Sequence, residues 1–323
     1  MSKLKKITLT LLGLVILLTV VTGGYVYYKL NSMYTPDSNI SSDEEAVELE
    51  KANGIKNILL IGVDGVNLEK GNRSDSMMIL TIDEKNKNLK LTSLARDTYV
   101  DIKGHSTEKL THAYAYGGPE LLLDTIKSNF GISIDKYVTV NFNSFIRIVD
   151  LLGGVEVNVT SNDLSLLNGY IPACYEYDPN PNKGSMKYLQ SSGTQTLNGY
   201  QALAFSRIRY QDSAYARDGR QREVIEAAIT KLQSTGIDKY VNIMDTVLDG
   251  IKTNIKPGDL ISMGLKVLEI GASNMKTLEF PVYKNPATLQ GKGWVIQWDK
   301  KSNLGVLNDF MFNNKDFSGN SEE

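Results

Sequence analysis

Hydrophobic and polar positions along the chain fall into blocks of different period. The first block, Ile7–Tyr28, runs 22 residues without a charge and follows Lys3, Lys5 and Lys6. At about 1.5 Å per residue, that length crosses a hydrocarbon layer about 30 Å thick. The preceding lysines favour a cytoplasmic N-terminus, and Tyr25, Tyr27 and Tyr28 stand where an interfacial aromatic belt belongs. No small-residue cleavage site follows Gly23–Gly24. The pattern therefore predicts an uncleaved anchor over residues 7–28 and a cytoplasmic tail over residues 1–6, a single-pass protein of the cell membrane with its C-terminal domain outside. Residues 29–53 turn polar and then acidic (SSDEEAVELEK) and read as an extracellular stalk.

From residue 54 the period changes. Asn57–Val63 (NILLIGV) and Ser76–Ile82 (SMMILTI) are short, near-continuous apolar runs, as in strands buried on both faces. Leu89–Leu94 and Thr98–Ile102 alternate and predict further strands. Leu110–Tyr116 and Pro119–Phe130 read as helices, punctuated by Gly117–Gly118. Tyr137–Asn141 predicts a strand, Phe142–Leu152 a helix, and Gly153–Gly154 a turn into the strand Val155–Val159. Asn162–Asn182, which contains DPNPN, reads as a long loop. Lys187–Leu189 reads as a short strand and Asn198–Phe205 as a helix. Helices are expected near Tyr215–Leu232, Asp238–Leu248, Pro257–Leu268 and Asn303–Phe312, and strands near Thr277–Val282 and Gly293–Trp298. Strands interleaved with helices on both sides predict an α/β domain over residues 54–315. Its expected form is a three-layer α-β-α sandwich around a central mixed β-sheet, with a polar tail over residues 316–323.

Composition narrows the function classes. A formal net charge of −2 gives no support to bulk nucleic-acid binding, and Met1–Lys6 is too short for a DNA-binding module. The single cysteine, Cys174, precludes an intrachain disulfide or a CxxC zinc site and reads as a small buried residue. Two histidines, His105 and His112, with no HExxH, leave no histidine-rich metal site. No GxxxxGK[ST] loop, GxGxxG turn or GxSxG elbow occurs, so nucleotide-dependent chemistry and hydrolases of the elbow type lack a motif.

Against this near-neutral background, Ala204–Arg222 (AFSRIRYQDSAYARDGRQR) holds five arginines in 19 residues. Arg207 and Arg209 are two apart and point the same way on an extended segment. Arg217 and Gln221 are four apart at the start of a predicted helix, with Arg220 beside them. Ile225, Ala228 and Leu232 continue their stripe, so polar residues head a face that becomes apolar. Arginines aimed inward at a helix N-terminus suit an anionic ligand, and guanidinium forks match phosphate oxygens. An ion-pair network with Asp212, Asp218, Glu223 and Glu226 is the competing account. Carboxylates also stand at two strand ends. Asp64 follows NILLIGV, and Asp75, two residues after Arg73, precedes SMMILTI. Strand-end loops are where α/β sheets place ligands, and two aspartates there can hold Mg²⁺ through hard oxygen donors; as turn or cap residues they need no such role. Arg96–Asp97 likewise follows a buried run, LKLTSL, and Lys109 reads as part of a solvated face.

In order along the chain, NILLIGVD (57–64), RSDSMMIL (73–80), SLARDTYV (93–100), KLTHAYAYGG (109–118), the strand–helix–GGVEVNV block (137–159) and RIRY…YARDGRQRE (207–223) resemble the LytR-CpsA-Psr family of Gram-positive cell-envelope proteins. The resemblance covers roughly residues 54–232, with the N-terminal anchor as the family has it. It implies a phosphotransferase acting outside the membrane. Such an enzyme moves a glycopolymer, such as teichoic acid or capsular polysaccharide, from undecaprenyl diphosphate to peptidoglycan as a phosphodiester. By the same resemblance, Asp64 and Asp75 match the acidic positions associated with Mg²⁺ (or Mn²⁺). Arg73, Arg96, Arg207, Arg209, Arg217 and Gln221 match positions around the pyrophosphate, and an apolar tunnel holds the lipid. Arg220 is grouped with the pyrophosphate set, and Asp75, Arg96 and Arg209 are the residues expected at the reacting centre.

One position departs from the pattern. Family members usually carry an aspartate three residues before the arginine matching Arg217, and here that residue is Ala214. The departure keeps two alternatives to the transferase open: a non-catalytic polyprenyl-phosphate binder or regulator, and a lipid pyrophosphatase with water as acceptor. Asp212 and Asp218 are the carboxylates available as substitutes.

Overall fold

The computed structural model describes residues 23–36, 54–65, 68, 71–178, 180–209, 214–235 and 250–317. The expected membrane span therefore lies mostly outside the described residues. Residues 23–33 form a helix, α1, and among the described residues no helix is long and apolar enough to cross a membrane. The part of the expected stalk that is described does not stand free in solvent. Leu30 and Met33 are buried, and the Thr35 N–H donates to the Thr253 carbonyl at 2.8 Å. Apolar side chains and an available strand edge draw this segment onto the domain.

The centre is a six-stranded mixed sheet in the order β10-β3-β2-β1-β6-β9. Its strands are β1 (Ile55–Val63), β2 (Ser74–Asp83), β3 (Asn88–Leu94), β6 (Tyr137–Val140), β9 (Ile251–Thr253) and β10 (Lys276–Phe280). The pairs β1–β2, β2–β3 and β6–β9 are antiparallel, whereas β1–β6 and β10–β3 are parallel. The continuous apolar runs are explained by burial on both faces. Leu59, Ile61, Val63, Met77 and Ile79 enter one core, and the alternate residues Ile58, Met78, Leu80 and Ile82 enter the other. Successive side chains of a strand point to opposite faces, so a strand with helices on both sides has no polar face to offer.

The first core is covered by α2 (Leu110–Phe130) and α8 (Lys300–Phe312), and the second by α6 (Ala214–Gln233) and α7 (Pro257–Ile270). Helices on both faces of the mixed sheet give the α/β sandwich. α2 is one helix broken at Gly118, whose φ of 68° and ψ of −157° no other residue type adopts readily. A third cluster lies to one side. α3 (Phe142–Leu151), α4 (Ser161–Glu176) and α5 (Gly199–Arg207) pack there with the antiparallel pair β7 (Val155–Val159) and β8 (Gly193–Leu197). Helix starts follow local polar chemistry: Asn141, Thr160 and Asn198 each accept a backbone N–H three residues on.

Four expectations need correction or completion. Residues 161–176 are helical rather than a loop, because Thr160 caps them and Leu167, Ile171 and Cys174 recur on one buried face. The strand expected at Lys187–Leu189 is replaced by β8, which pairs with β7 in register Val155↔Leu197. Thr98–Ile102 contributes only the two-residue strand β4 (Tyr99–Val100), paired with β5 (Glu108–Lys109). β9 and the hairpin strand β11 (Lys284–Leu289), partner of β12 (Gly293–Trp298), carried no recognised pattern. The helix expected at Asp238–Leu248 lies outside the described residues.

Candidate functional site

The end of the β1–β2 pair is irregular, and the irregularity sets the site. Gly62 pairs with Ser76 but Val63 pairs with Ser74, so Asp75 is the extra residue of a β-bulge. A bulge leaves one residue outside the ladder and re-aims its side chain. Asp64 follows on β1, its Oδ1 accepting from the Arg73 backbone N–H at 2.6 Å and its own N–H donating to the Arg73 carbonyl at 3.1 Å. Asp64, Arg73 and Asp75 thus share one sheet end. Thr111, in the first turn of α2, joins this end to the segment that follows β3. Its hydroxyl donates to the Ser74 carbonyl at 2.9 Å and its N–H to the Arg96 carbonyl at 3.0 Å.

Asp75 is met by two arginines. Arg96 Nη1 donates to its Oδ1, and Arg209 Nη2 lies 3.9 Å from its Oδ2. Asp97 stands between Arg96 Nε, at 3.6 Å, and Lys109 Nζ, at 2.9 Å. Lys109 is thus a partner at the rim of the site and not a residue of a solvated face. Burial pulls the Arg96 guanidinium down to about 10; Asp97 opposes this, and the positive charges of Arg209, Arg217 and Arg73 add to it. Arg209 is lowered by the same causes, burial first and Arg217 next. Both stay charged at neutral pH. The mutual repulsion of these arginines is what an incoming anion relieves.

Behind the arginines opens an apolar cavity of about 430 Å³. Its floor is the second face of the sheet, from Leu60, Met78, Val138 and Val140. Its walls are Phe142, Phe145, Ile148 and Val149 of α3, Tyr170, Leu203, and Val224, Ile225, Ala228 and Ile229 of α6. Asp75, Ser76, Asn141, Ser206, Arg207, Arg209, Arg217 and Gln221 supply its polar lining. The stripe read from Arg217 and Gln221 to Ile225 and Ala228 therefore runs along the cavity wall. Gln221 Nε2 donates to the Ser206 carbonyl at 3.3 Å, while Arg217 is bonded to Asp218 at 2.8 Å. Among the described residues, neither Arg73 nor Arg207 is paired with a carboxylate.

Arg220 departs from the set. One residue from Gln221 and three from Arg217, it faces away from the cavity and is buried. Its Nε donates to Asp163 at 2.8 Å and its Nη1 to the Ile208 carbonyl at 3.4 Å. At about 100° per residue it stands about 100° around α6 from Gln221 and about 60° from Arg217, and its bond to Asp163 fastens α6 to α4. Ala214 heads α6, and Asp212 lies outside the described residues. Asp218 is described and is buried against Arg217. Among the described residues, no group of three or more histidine, cysteine or carboxylate side chains is arranged to hold a metal. Two carboxylates at one sheet end still suit a hard divalent cation that draws its remaining donors from water and phosphate. Sequence reasoning missed the cavity lining itself, including Asn141 and Tyr170. Only the two-sided hydrophobicity of β2 and the apolar stripe of α6 signalled it.

Comparisons with known proteins agree with one another. The LytR_cpsA_psr family matches residues 20–309. The polyisoprenyl-teichoic acid–peptidoglycan teichoic acid transferase TagU of Bacillus licheniformis is 32% identical over 270 residues, 80% of this chain and 81% of TagU. The structure of TagT bound to LIIa-WTA superposes with a TM-score of 0.63 at 30% identity, covering 80% of this chain and 90% of TagT. TagT with bound octaprenyl pyrophosphate lipid gives a TM-score of 0.59 at 28% identity, with the same coverage.

Proposed function

The chain belongs to the LytR-CpsA-Psr family, and from that premise we propose that it transfers a glycopolymer from a polyprenyl diphosphate carrier, undecaprenyl diphosphate in the cell, to peptidoglycan. One observation carries the reading: an apolar cavity whose polar lining includes Arg207, Arg209 and Arg217. A lipid chain needs the first and a diphosphate the second. Neither alone would distinguish this ligand from a fatty acid or a free phosphate. The relatives named as teichoic acid transferases support the same substrate class. An anchor at Ile7–Tyr28 would hold the site beside a carrier that cannot leave the bilayer.

In this reading the lipid lies along α6 and the diphosphate meets the arginines. An acceptor hydroxyl oxygen attacks the phosphorus bearing the glycan. Its new P–O bond forms as the bond to the lipid-side phosphate oxygen breaks, so polyprenyl phosphate leaves and the hydroxyl proton goes to a base. Phosphoryl transfer of this kind needs positioning and charge stabilisation more than covalent help. Arg96 and Arg209, already gathered at Asp75, stand where negative charge spreads over the phosphoryl oxygens. Arg73, Arg207 and Arg217 bind and orient the diphosphate. Asp64 and Asp75 would hold a magnesium or manganese ion, which when bound would supply further charge stabilisation at the same phosphate.

The test uses the full chain in detergent, a short-chain lipid diphosphate-linked sugar, peptidoglycan oligomers and Mg²⁺. Release of lipid phosphate together with sugar joined to the glycan supports the transferase. Free sugar phosphate without a joined product indicates a lipid pyrophosphatase, and saturable binding without turnover a carrier-lipid binder. Absence of both binding and turnover sinks the reading of the cavity.

A further inference from the structure

Arg207 differs from its neighbours in what holds it. Its guanidinium carbon lies 4.9 Å from the Phe142 ring centroid and 5.6 Å from the Tyr177 ring centroid. The two rings are themselves 5.2 Å apart and tilted by 60°. Three such similar distances make a nearly equilateral triangle. Both rings therefore flank the same side of the guanidinium, and Arg207 itself lines the cavity. Nη1 also donates to the buried Cys174 sulfur at 3.7 Å. These partners converge from three elements: Phe142 opens α3, Cys174 lies in the last turn of α4 with Tyr177 at its end, and Arg207 closes α5.

None of these partners carries a negative charge. Burial pushes the Cys174 thiol above its ordinary value, with Arg207 opposing, so it stays protonated at neutral pH. Arg96, Arg209 and Arg217 each face a carboxylate, which cancels part of their field. A guanidinium held by ring faces and a thiol is restrained without being neutralised, because a ring quadrupole attracts a cation but supplies no net charge. The immobilisation entropy is then met before any ligand arrives, which is where pre-organisation adds affinity.

We propose that Phe142 and Tyr177 are positioning residues that pre-organise Arg207 as an un-neutralised anchor for a diphosphate in the cavity. The proposal rests on the reading of the cavity as a lipid diphosphate site. The aromatic faces set the guanidinium, the thiol fixes its rotation, and its remaining N–H groups take phosphate oxygens. Tyr177 acts through Arg207, without touching the reacting atoms. Its ring face is what counts, not its hydroxyl and not its bulk.

The experiment separates ring face from bulk with Tyr177→Phe and Tyr177→Leu in the full chain in detergent. In ¹⁵N-arginine NMR spectra of the ligand-free protein, the Arg207 Nε–H, assigned with Arg207→Lys, is expected to be ring-current shifted and slow to exchange. Tyr177→Phe keeps that signal and Tyr177→Leu loses it. Farnesyl diphosphate binding, by calorimetry, is expected to be unchanged in Tyr177→Phe and about threefold to tenfold weaker in Tyr177→Leu. Combining Tyr177→Leu with Arg207→Ala should cost no more than Arg207→Ala alone. A mobile Arg207 in the wild type, or wild-type affinity in Tyr177→Leu, overturns the proposal. An intact signal with no farnesyl diphosphate binding by the wild type supports the positioning contact and rejects the lipid diphosphate ligand.

Discussion

Arg217 and Asp218 are neighbours in sequence whose side chains close on each other. Asp218 Oδ1 accepts from Arg217 Nε at 3.1 Å and from Nη2 at 2.8 Å, while Oδ2 has no hydrogen-bond partner among the described residues. Both are buried. Burial raises the Asp218 carboxyl above its ordinary value, opposed by Arg217 and then Arg222. A carboxyl raised by folding contributes stability that is fully present below its unfolded value, about 3.9, and lost as pH rises through its folded value. Asp218→Asn removes that titration. Urea midpoints between about pH 4 and pH 8 should therefore show the variant gaining on the wild type as pH rises. A difference that stays constant across the range would contradict the assignment. Asp218→Ala should be harsher than Asp218→Asn at neutral pH, since asparagine keeps an acceptor oxygen for the buried Arg217 and alanine keeps none.

The fully buried pair Lys90–Asp83, 2.8 Å apart, lies on β2 and β3 away from the cavity. Lys90 Nζ also donates to the Met311 carbonyl at 3.0 Å and so ties α8 to the sheet. Lys90→Met strands a buried carboxylate and is expected to cost about 3–5 kcal/mol in denaturant unfolding. Farnesyl diphosphate affinity below the melting transition should not change. Altered affinity would mean that the pair also supports the site. Burial raises the Asp83 carboxyl, but hydrogen bonds from Lys90 and Asn86 overcome it and leave a net lowering. Its stabilising contribution is therefore present above the unfolded value and lost as pH falls through the folded one.

Ala228 lines the cavity on α6 with only a methyl group. Ala228→Trp should fill the space meant for the lipid. Farnesyl diphosphate affinity is expected to fall about tenfold or more, with inorganic pyrophosphate binding unaffected, because only the apolar part of the ligand is displaced. Equal loss for both ligands would show that the cavity does not hold the chain.

Arg209→Ala and Asp75→Ala should each lower turnover tenfold or more, since a charged hydrogen bond contributes about 1.5–3 kcal/mol. Melting temperatures should stay close to wild type, because both side chains are partly exposed. Wild-type rates in both variants would reject the site. Ala214→Asp restores a carboxylate at the head of α6 and should raise turnover, and an unchanged rate would show that the missing group does not limit this protein.

Much of this was readable from local chemistry. The apolar runs of β1 and β2 announced a sheet buried on both sides because period and burial are properties of a strand by itself. Asn141 and Asn198 announced helix starts because a cap needs only a side chain and a backbone three residues on. The family motifs placed Asp64, Asp75 and the arginines on one list. The helix 161–176 was hidden because DPNPN, just beyond it, drew the whole segment into a loop reading, although Thr160 and its apolar spacing were present.

Which of these residues act together was decided by tertiary structure alone. Arg217 and Arg220 sit three apart, yet one lines the cavity and the other binds Asp163, because the choice depends on what packs against each side of α6. Asp75 meets Arg96 and Arg209 because a bulge turns its side chain out of the ladder, and a bulge depends on the pairing of two strands. Cys174, Phe142 and Tyr177 carried no motif, and only the convergence of α3, α4 and α5 brings them to Arg207. Periodicity and caps are short-range and written in neighbouring residues. A cavity and the partner of a charge are long-range, and they exist only once the chain has closed on itself.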